Sequence, residues 1–304
     1  MTKLPMTKTL LILSVFLFSL TGMAETCETL RSSALAQNKS VNIVLVPSNF
    51  EGDLKLFKKE AKKIVEKFES YKPFSKDNKF INFFLSTKEA KKNSFCKYGC
   101  SGIDRLLCCD RGDAKKLAKV CDNSKERQIL VVHNDTKYGG AGYINDNIAT
   151  TSINRSAPKV AVHEIGHSLF DLADEYTIST GTRGLRNCAK SDCQEWKDLI
   201  DIDFKGAECT PNGCAGGEYF TCGETIMKKL SLKFGPNNER LACCKYKEIT
   251  GQYPSFCSPY QKAGIGLESF CSSKSLSIPS DFGEDEVEYF DPDSKKSGFY
   301  KIKH

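Results

Sequence analysis

Fifteen cysteines in a chain of 304 residues restrict what this sequence can fold into. All of them follow Ala24, and no two have the Cys-x-x-Cys spacing of thioredoxin-like redox motifs and many structural zinc sites. We therefore expect disulfides that fasten long loops, and several connectivities are compatible with the spacing. Because fifteen is an odd number, at least one thiol is free or pairs with another molecule.

Residues 1–24 have the pattern of a secretory signal peptide. Lys3 and Lys8 precede an apolar run from Leu10 to Leu20, and small residues lead to Ala24. This run is too short to cross a bilayer, which takes about 20 apolar residues. We therefore predict a secreted or periplasmic protein with no stable membrane insertion after cleavage. The oxidising destination accounts for the number of cysteines.

Composition excludes several classes of protein. Hydrophobic residues make up 40% of the chain and charged residues 27%, which is typical of a globular protein and excludes collagen-like or wholly disordered chains. The formal net charge is +6, and removal of Lys3 and Lys8 with the signal peptide leaves +4. The basic residues are dispersed and lack interleaved aromatic residues, so we expect no nucleic-acid partner.

Strands and helices are predicted to alternate up to about residue 172. Short β-branched runs indicate buried strands, and apolar residues at helical spacing indicate helices. The predicted strands are 41–47, 80–85, 128–133 and 148–153, and the predicted helices are 53–71, 114–120 and 157–172. This order favours an α/β or α+β fold with a mixed, mostly parallel sheet.

The apolar periodicity fades after residue 172. Residues 177–260 are rich in glycine, cysteine and turn residues, with one helix expected at about 240–250. We therefore predict one domain over 25–260, whose C-terminal half is irregular and disulfide-rich. Residues 261–304 carry an acidic cluster and are expected to form a solvated, partly disordered tail.

The sequence His163-Glu164-Ile165-Gly166-His167 lies in the predicted helix of 157–172. Histidines four residues apart share one helix face and can both bind one Zn²⁺, while the glutamate reaches the water beside it. The flanking residues are apolar nearly all round, so this helix is buried and its polar side chains need partners. We therefore predict a zinc site with His163 and His167 as ligands and Glu164 as the general base.

A catalytic zinc site needs a third protein ligand and an open position. In an unbroken helix Asp174 would lie about 16 Å along the axis from His163, so the chain must turn back after about residue 172 for Asp174 to bind. Asp174 is the preferred third ligand. The alternatives are Glu175, Glu195 and Glu218.

Four segments between residues 128 and 176 carry a family resemblance. They are Ile129-Leu130-Val131-Val132-His133-Asn134-Asp135, Tyr138-Gly139-Gly140-Ala141-Gly142, Val162-His163-Glu164-Ile165-Gly166-His167-Ser168 and Leu172-Ala173-Asp174-Glu175-Tyr176. They resemble the bacterial zinc metallopeptidases typified by IgA peptidase, a metzincin-like group, and the last segment is the most specific. The resemblance extends over about residues 41–250.

The resemblance implies a zincin-like fold and a zinc metalloendopeptidase that acts on proteins or peptides. In metzincins the third histidine follows the second by six residues, and that position is Ala173 here, with Asp174 next. The implied zinc ligands are His163, His167 and Asp174, with Glu164 as the base that activates water. The family name does not make immunoglobulin the substrate.

Two further features fit the same resemblance. Met227 is the only methionine after residue 24, and it follows His167 by 60 residues, where metzincins have a methionine turn beneath the zinc. A lone methionine also commonly fills a core, which is the alternative for Met227. The segment Gly139-Gly140 resembles the upper edge of the cleft, where an extended substrate can add as a strand, and the alternative for this segment is an ordinary flexible loop.

Two alternative functions remain open at this point. A zinc amidase acting on cell-wall peptide would use the same chemistry on another amide. A non-catalytic binding protein could use a peptidase scaffold, although the intact His163, Glu164 and His167 argue against it. No feature of the sequence indicates an oligomeric state.

Overall fold

The computed structural model describes most of the chain. It covers residues 27–88, 94–100, 104, 106–176, 185–190, 192–214, 217 and 219–273, and the backbone of 286–291 and 296–301. The predicted signal peptide, residues 1–24, and the alternative ligand Glu218 lie outside these described residues.

Strands and helices alternate along the first half of the chain, as predicted. The strands are β1 (Cys27–Arg31), β2 (Val41–Ser48), β3 (Ile81–Ser86), β4 (Cys96–Lys97), β5 (Cys108–Cys109), β6 (Gln128–His133), β7 (Gly140–Tyr143), β8 (Ile148–Ser152), β9 (Thr210–Gly213), β10 (Tyr219–Thr221), β11 (Glu286–Asp291) and β12 (Lys296–Lys301). The helices are α1 (Leu54–Phe68), α2 (Arg111–Ala118), α3 (Ala157–Phe170), α4 (Lys197–Ile200), α5 (Pro236–Thr250) and α6 (Leu267–Ser272).

Eight of the strands form one mixed sheet in the order β1-β3-β2-β6-β8-β7-β11-β12. The central strands β3, β2, β6 and β8 are parallel to one another. Strands β1 and β7 run antiparallel to the neighbours that flank this centre, and β11 and β12 continue the sheet beyond β7. The predicted mixed α/β fold with a mostly parallel sheet is confirmed.

The sheet separates two apolar clusters, so that side chains alternate between them along each central strand. In β2, Ile43 and Leu45 join the larger cluster, which also contains residues of α1, α3 and α5. The neighbouring Val44 and Val46 point to the other face and pack with residues of α2. Because both faces are covered, the central strands read as continuous apolar runs, which is why the sequence predicted them well.

Helix caps set the ends that apolar periodicity did not predict. Helix α2 begins three residues before its predicted start because the Asp110 carboxylate accepts the Asp113 N–H. Helix α5 begins at Pro236, after Gly235 with φ of 78°, and ends at Gly251 with φ of 75°. Proline in the first turn and glycine after the last are ordinary helix boundaries.

Seven disulfides bind the chain together, and all fifteen cysteines lie in described residues. The pairs are Cys27–Cys121, Cys96–Cys109, Cys100–Cys108, Cys188–Cys214, Cys193–Cys209, Cys243–Cys257 and Cys244–Cys271. The predicted disulfide-rich C-terminal half contains the last four of these. The Cys244–Cys271 bond ties α6 to α5, so the packed part of the chain continues beyond residue 260.

The acidic tail contains two strands that the sequence pattern did not predict. Strands β11 and β12 pair with each other in antiparallel register, from Glu286↔Lys301 to Asp291↔Lys296. Strand β11 also pairs with β7, which makes the tail part of the main sheet. Within the described residues, every helix is too short or too polar to cross a membrane.

Cys222 is the odd cysteine that the count predicted, and it is buried. Burial raises the pKa of its thiol to about 11. Since thiolate is the reactive form, we expect no alkylation of the native protein at neutral pH and one alkylated thiol after unfolding without reductant. Mass spectrometry after iodoacetamide treatment measures both numbers. Modification of the native protein, or more than one thiol after unfolding, would contradict the pairing.

Candidate metal centre

Helix α3 and strand β7 approach so closely that side chains are excluded between them. A Cβ on Gly142 would lie 2.7 Å from His167 Cβ and 2.8 Å from the Glu164 carbonyl oxygen. A Cβ on Gly140 would lie 2.5 Å from Val160 Cγ1 and 2.8 Å from Glu164 Oε1. The glycines of β7 therefore allow its main chain to pass directly over the helix turns that carry the polar residues.

A third glycine, Gly166, allows close packing on the side of α3 that faces away from β7. A Cβ on Gly166 would lie 2.8 Å from Met227 Sδ and 3.4 Å from Phe234 Cε1. Met227 is fully buried against this point of the helix, between the positions of the two histidines. The structure thus places Met227 beneath the histidine pair, where the resemblance expected it.

His163 and His167 are held in one orientation by backbone carbonyls. His163 Nδ1 lies 3.0 Å from the Ile226 carbonyl oxygen, and His167 Nδ1 lies 2.5 Å from the Leu172 carbonyl oxygen. A carbonyl can only accept, so each Nδ1 carries the proton and each Nε2 presents a lone pair. The two Nε2 atoms lie 3.0 Å apart, and both side chains are buried.

The chain turns back directly after α3, as the sequence required. Asp171 has φ of 54°, the left-handed conformation, and its N–H bonds to the His167 carbonyl oxygen at 3.1 Å. Its carboxylate lies 3.1 Å from Lys245 Nζ on α5. Burial raises the pKa of Asp171 to about 6 despite this ammonium group. The turn returns the following residues to the face of α3 that carries the histidines.

Asp174 reaches both histidines from this returning segment. Its Oδ1 lies 3.1 Å from His163 Nε2 and 3.5 Å from His167 Nε2, and the side chain is fully buried. Burial acts to raise the pKa of the Asp174 carboxyl, but the two imidazoles outweigh it and lower that pKa. One ligand atom from each of the three residues lies within 4.8 Å of the others.

This group of atoms fits a bound cation. Two imidazole lone pairs and a carboxylate oxygen repel one another at such distances unless positive charge lies between them. A proton supplies it at low pH, and a divalent metal ion supplies it when bound. Two histidines and one carboxylate are also a donor set that catalytic zinc sites use, with one position left for water.

Glu164 and Tyr176 lie beside this group without belonging to it. Glu164 is buried, and its Oε1 faces Gly140 of β7. The Tyr176 hydroxyl lies 3.3 Å from His163 Nε2, and its ring stacks on His163 at an interplanar angle of 22°. Burial raises the pKa of Tyr176 well above its ordinary value, so the phenol is a neutral donor.

Glu175, the first alternative ligand, is directed to other partners. Thr225 Oγ1 donates to Glu175 Oε2 at 2.7 Å, and Asn238 and Asn187 donate to Oε1 at 2.9 and 3.2 Å. Its N–H bonds to the Met227 carbonyl oxygen at 3.0 Å. Glu175 thus fastens the returning segment to the Met227 turn.

The distant alternative Glu195 lies elsewhere on the molecule. It pairs with Arg186 at 3.3 Å, and its side chain is 42% exposed. Glu195 does not belong to the cluster of His163, His167 and Asp174 that the described residues form.

Three supporting residues were not predicted from the sequence: Asn187, Thr225 and Asn238. Asn187 accepts the Ala173 N–H and donates to the Ala173 carbonyl, both at 2.8 Å, which fixes the residue before Asp174. Only Thr225 had a usable signal, because it belongs to the same short segment as Met227. A buried asparagine cannot be told from a surface one before the fold is known.

Substitution of Gly142 tests the contact between β7 and α3. In Gly142→Ala the new Cβ meets the His167 Cβ and a backbone oxygen, neither of which can move alone. We expect the free energy of unfolding to fall by about 1–3 kcal/mol, measured by denaturant titration. Gly112→Ala is the control, since its Cβ meets only the Asp110 side chain in the first turn of α2. Equal stability of the two variants would contradict the contact.

Substitution of Glu175 tests its buried environment. Burial raises the pKa of Glu175 to about 7, although its three hydrogen bonds act to lower it. The folded state therefore holds this proton up to about pH 7, while the unfolded state releases it near the ordinary pKa of about 4.3. The group's contribution to the free energy of unfolding falls as pH rises between these values and is constant above them.

Glu175→Gln, which resembles the protonated acid, removes that dependence. We expect the metal-free wild type to lose on the order of 2–3 kcal/mol more than the variant between pH 4.5 and 8. Urea unfolding at several pH values in the presence of a chelator measures the difference. If the free energies of unfolding of the two proteins changed in parallel between pH 4.5 and 8, Glu175 would be ionised over this whole range.

Comparison with protein families identifies the segment that contains this centre. The family described as IgA Peptidase M64 matches residues 32–191, which is more than half of the chain and includes β2 to α3, Asp174 and Asn187. A comparison with curated protein sequences gave no match. The M64 peptidases are metallopeptidases, which agrees with the cation-binding character of the three converging residues. The chain belongs to the IgA peptidase M64 family.

Proposed function

We propose that this protein is an exported zinc metalloendopeptidase. His163, His167 and Asp174 bind the zinc, and Glu164 is the general base. The observation that carries the proposal is the convergence of these three ligand atoms on one buried point beside Glu164 and the main chain of β7. Family membership supports the peptidase activity, and the donor set supports zinc as the metal.

The two histidine rings are held in an orientation suited to metal binding even without the metal. Their Nδ1–H groups donate to the carbonyl oxygens of Ile226 and Leu172, which fixes the ring orientation and leaves both Nε2 atoms as ligands. Asn187 and Glu175 hold the segment on either side of Asp174. Little rearrangement is therefore needed to bring the three ligands together.

A zinc ion held by these residues would act as a Lewis acid that polarises the scissile carbonyl, and it would make a water molecule nucleophilic at neutral pH. Glu164 takes the proton from the attacking water and passes it to the leaving amine. Its position between α3 and β7 excludes bulk water, which strengthens its interaction with that proton. The neutral Tyr176 hydroxyl beside His163 is a hydrogen-bond donor to groups at the centre.

The substrate binds as an extended strand along the outer edge of β7. Main-chain hydrogen bonds to a strand edge require neither a free terminus nor a particular side chain. The substrate is therefore an internal stretch of a protein or peptide. The seven disulfides are consistent with an extracellular protein, and export by residues 1–24 is part of the proposal.

Zinc content and proteolysis of an unfolded protein, measured together, test the assignment. We expect the wild type to hold one zinc and to cleave. Glu164→Gln should hold zinc and lose about 10²–10⁴-fold in rate, because the proton acceptor is gone. Asp174→Ala should lose zinc affinity, and Glu195→Ala is the control that retains both properties.

Three results would contradict parts of this assignment. Full zinc occupancy in Asp174→Ala would remove Asp174 from the ligand set. Zinc in the wild type without cleavage of any polypeptide, but with cleavage of a cell-wall peptide, would indicate an amidase. Absence of zinc from the wild type would overturn the metal centre.

A further inference from the structure

The outer edge of β7 is occupied in this structure by the chain's own tail. We propose that the hairpin of β11 and β12 is an intramolecular competitor of the substrate, bound to the strand edge that the substrate must use. The proposal rests on the proposed function, because it assigns a regulator to that same site.

The two edges of β7 are both paired. Its inner edge pairs with β8, from Gly140↔Thr151 to Tyr143↔Ile148. Its outer edge pairs with β11 in antiparallel register at Gly142, which lies opposite Glu288, while Gly140 bridges Leu106. Because Gly142 lies against His167 of α3, a strand at this outer edge lies next to the metal centre.

A substrate strand and β11 exclude each other at this place. Each edge of a strand presents one row of N–H and C=O groups, which bind one partner at a time. The main-chain groups beside Gly142 that would hold a substrate are those that β11 faces. A peptide can reach the outer edge of β7 only after the hairpin has left.

The hairpin lies outside the part of the chain that the disulfides crosslink. All seven disulfides join cysteines between Cys27 and Cys271, and the apolar clusters formed by the described side chains lie in the same part of the chain. Residues 27–273 therefore retain all seven disulfides when the tail is absent. The hairpin, in contrast, contains no cysteine. Its pairing with β7 is therefore a reversible association.

The short sequence between residue 273 and β11 strengthens the association of the hairpin with β7. Only residues 274–285 lie between the packed part and β11. A connection of only twelve residues corresponds to an effective concentration on the order of 1 mM. Substrate concentrations near typical KM values of about 1 μM–1 mM are comparable or lower, so a tail that binds the edge as tightly as a substrate competes effectively in the intact chain.

Comparison of the full chain with a chain that ends at Ser273 tests the proposal, with a fluorogenic unfolded protein as substrate. We expect KM to fall at least about tenfold on removal of the tail while kcat is unchanged, as competition requires. A synthetic peptide of residues 281–304 should raise KM of the shortened chain again, and a scrambled peptide should not.

A pair of substitutions in the full chain separates strand pairing from charge. Glu288→Pro removes a backbone donor and disfavours the strand, so it should reproduce the lower KM of the shortened chain. Glu288→Gln loses the same charge but can still form the strand, so it should retain the KM of the wild type. Equal KM values for all four chains would overturn the proposal, as would a higher KM after removal of the tail.

A binding measurement distinguishes failure of this inference from failure of the proposed function. The labelled tail peptide is titrated into the shortened Glu164→Gln chain and followed by fluorescence anisotropy, which needs no catalysis. If no chain cleaves polypeptide but the peptide binds, the tail assignment stands and the peptidase assignment fails. If the chains cleave equally and the peptide does not bind, the peptidase assignment stands and the tail assignment is overturned.

Discussion

Three buried hydrogen-bond acceptors that converge on one point are the constraint on which the rest of this structure depends. His163 Nε2, His167 Nε2 and Asp174 Oδ1 lie 3.0–3.5 Å from one another, at distances that need a cation. The helix, its C-terminal turn and the segment beyond it have to deliver these atoms together. The left-handed Asp171 provides the turn, and Asn187, Thr225 and Asn238 hold the returning segment in place.

The same constraint explains the glycines around α3. A helix that carries the proposed metal ligands on one face must be supported on its other side and still be reached by a substrate. Gly166 lets Met227 support the helix from beneath, and Gly140 and Gly142 let the main chain of β7 pass above it. Small residues at these positions bring the main chain of β7 into contact with Glu164 and His167, where side chains would hold it away.

The central fold and the motif were predictable from the sequence because both depend on local patterns. Strand β6 was predicted with its observed bounds, since it is apolar and buried on both faces. His163, Glu164 and His167 were recognisable by their spacing alone. Asn187 and Asn238 were not, because they reach Glu175 across 12 and 63 residues of chain. Such contacts depend on topology, which no local pattern encodes.

The tail shows why an acidic segment was predicted as solvated and yet has strands in the structure. Periodicity and charge describe whether a segment can form a core of its own, and residues 286–301 cannot. An unpaired strand edge, however, offers main-chain hydrogen bonds to any sequence that can extend. A peptidase that binds substrates through such an edge must recognise extended chain of little defined sequence, and its own tail satisfies that description. The proposed breadth of substrate recognition and the proposed competition by the tail therefore have one physical origin, the outer edge of β7.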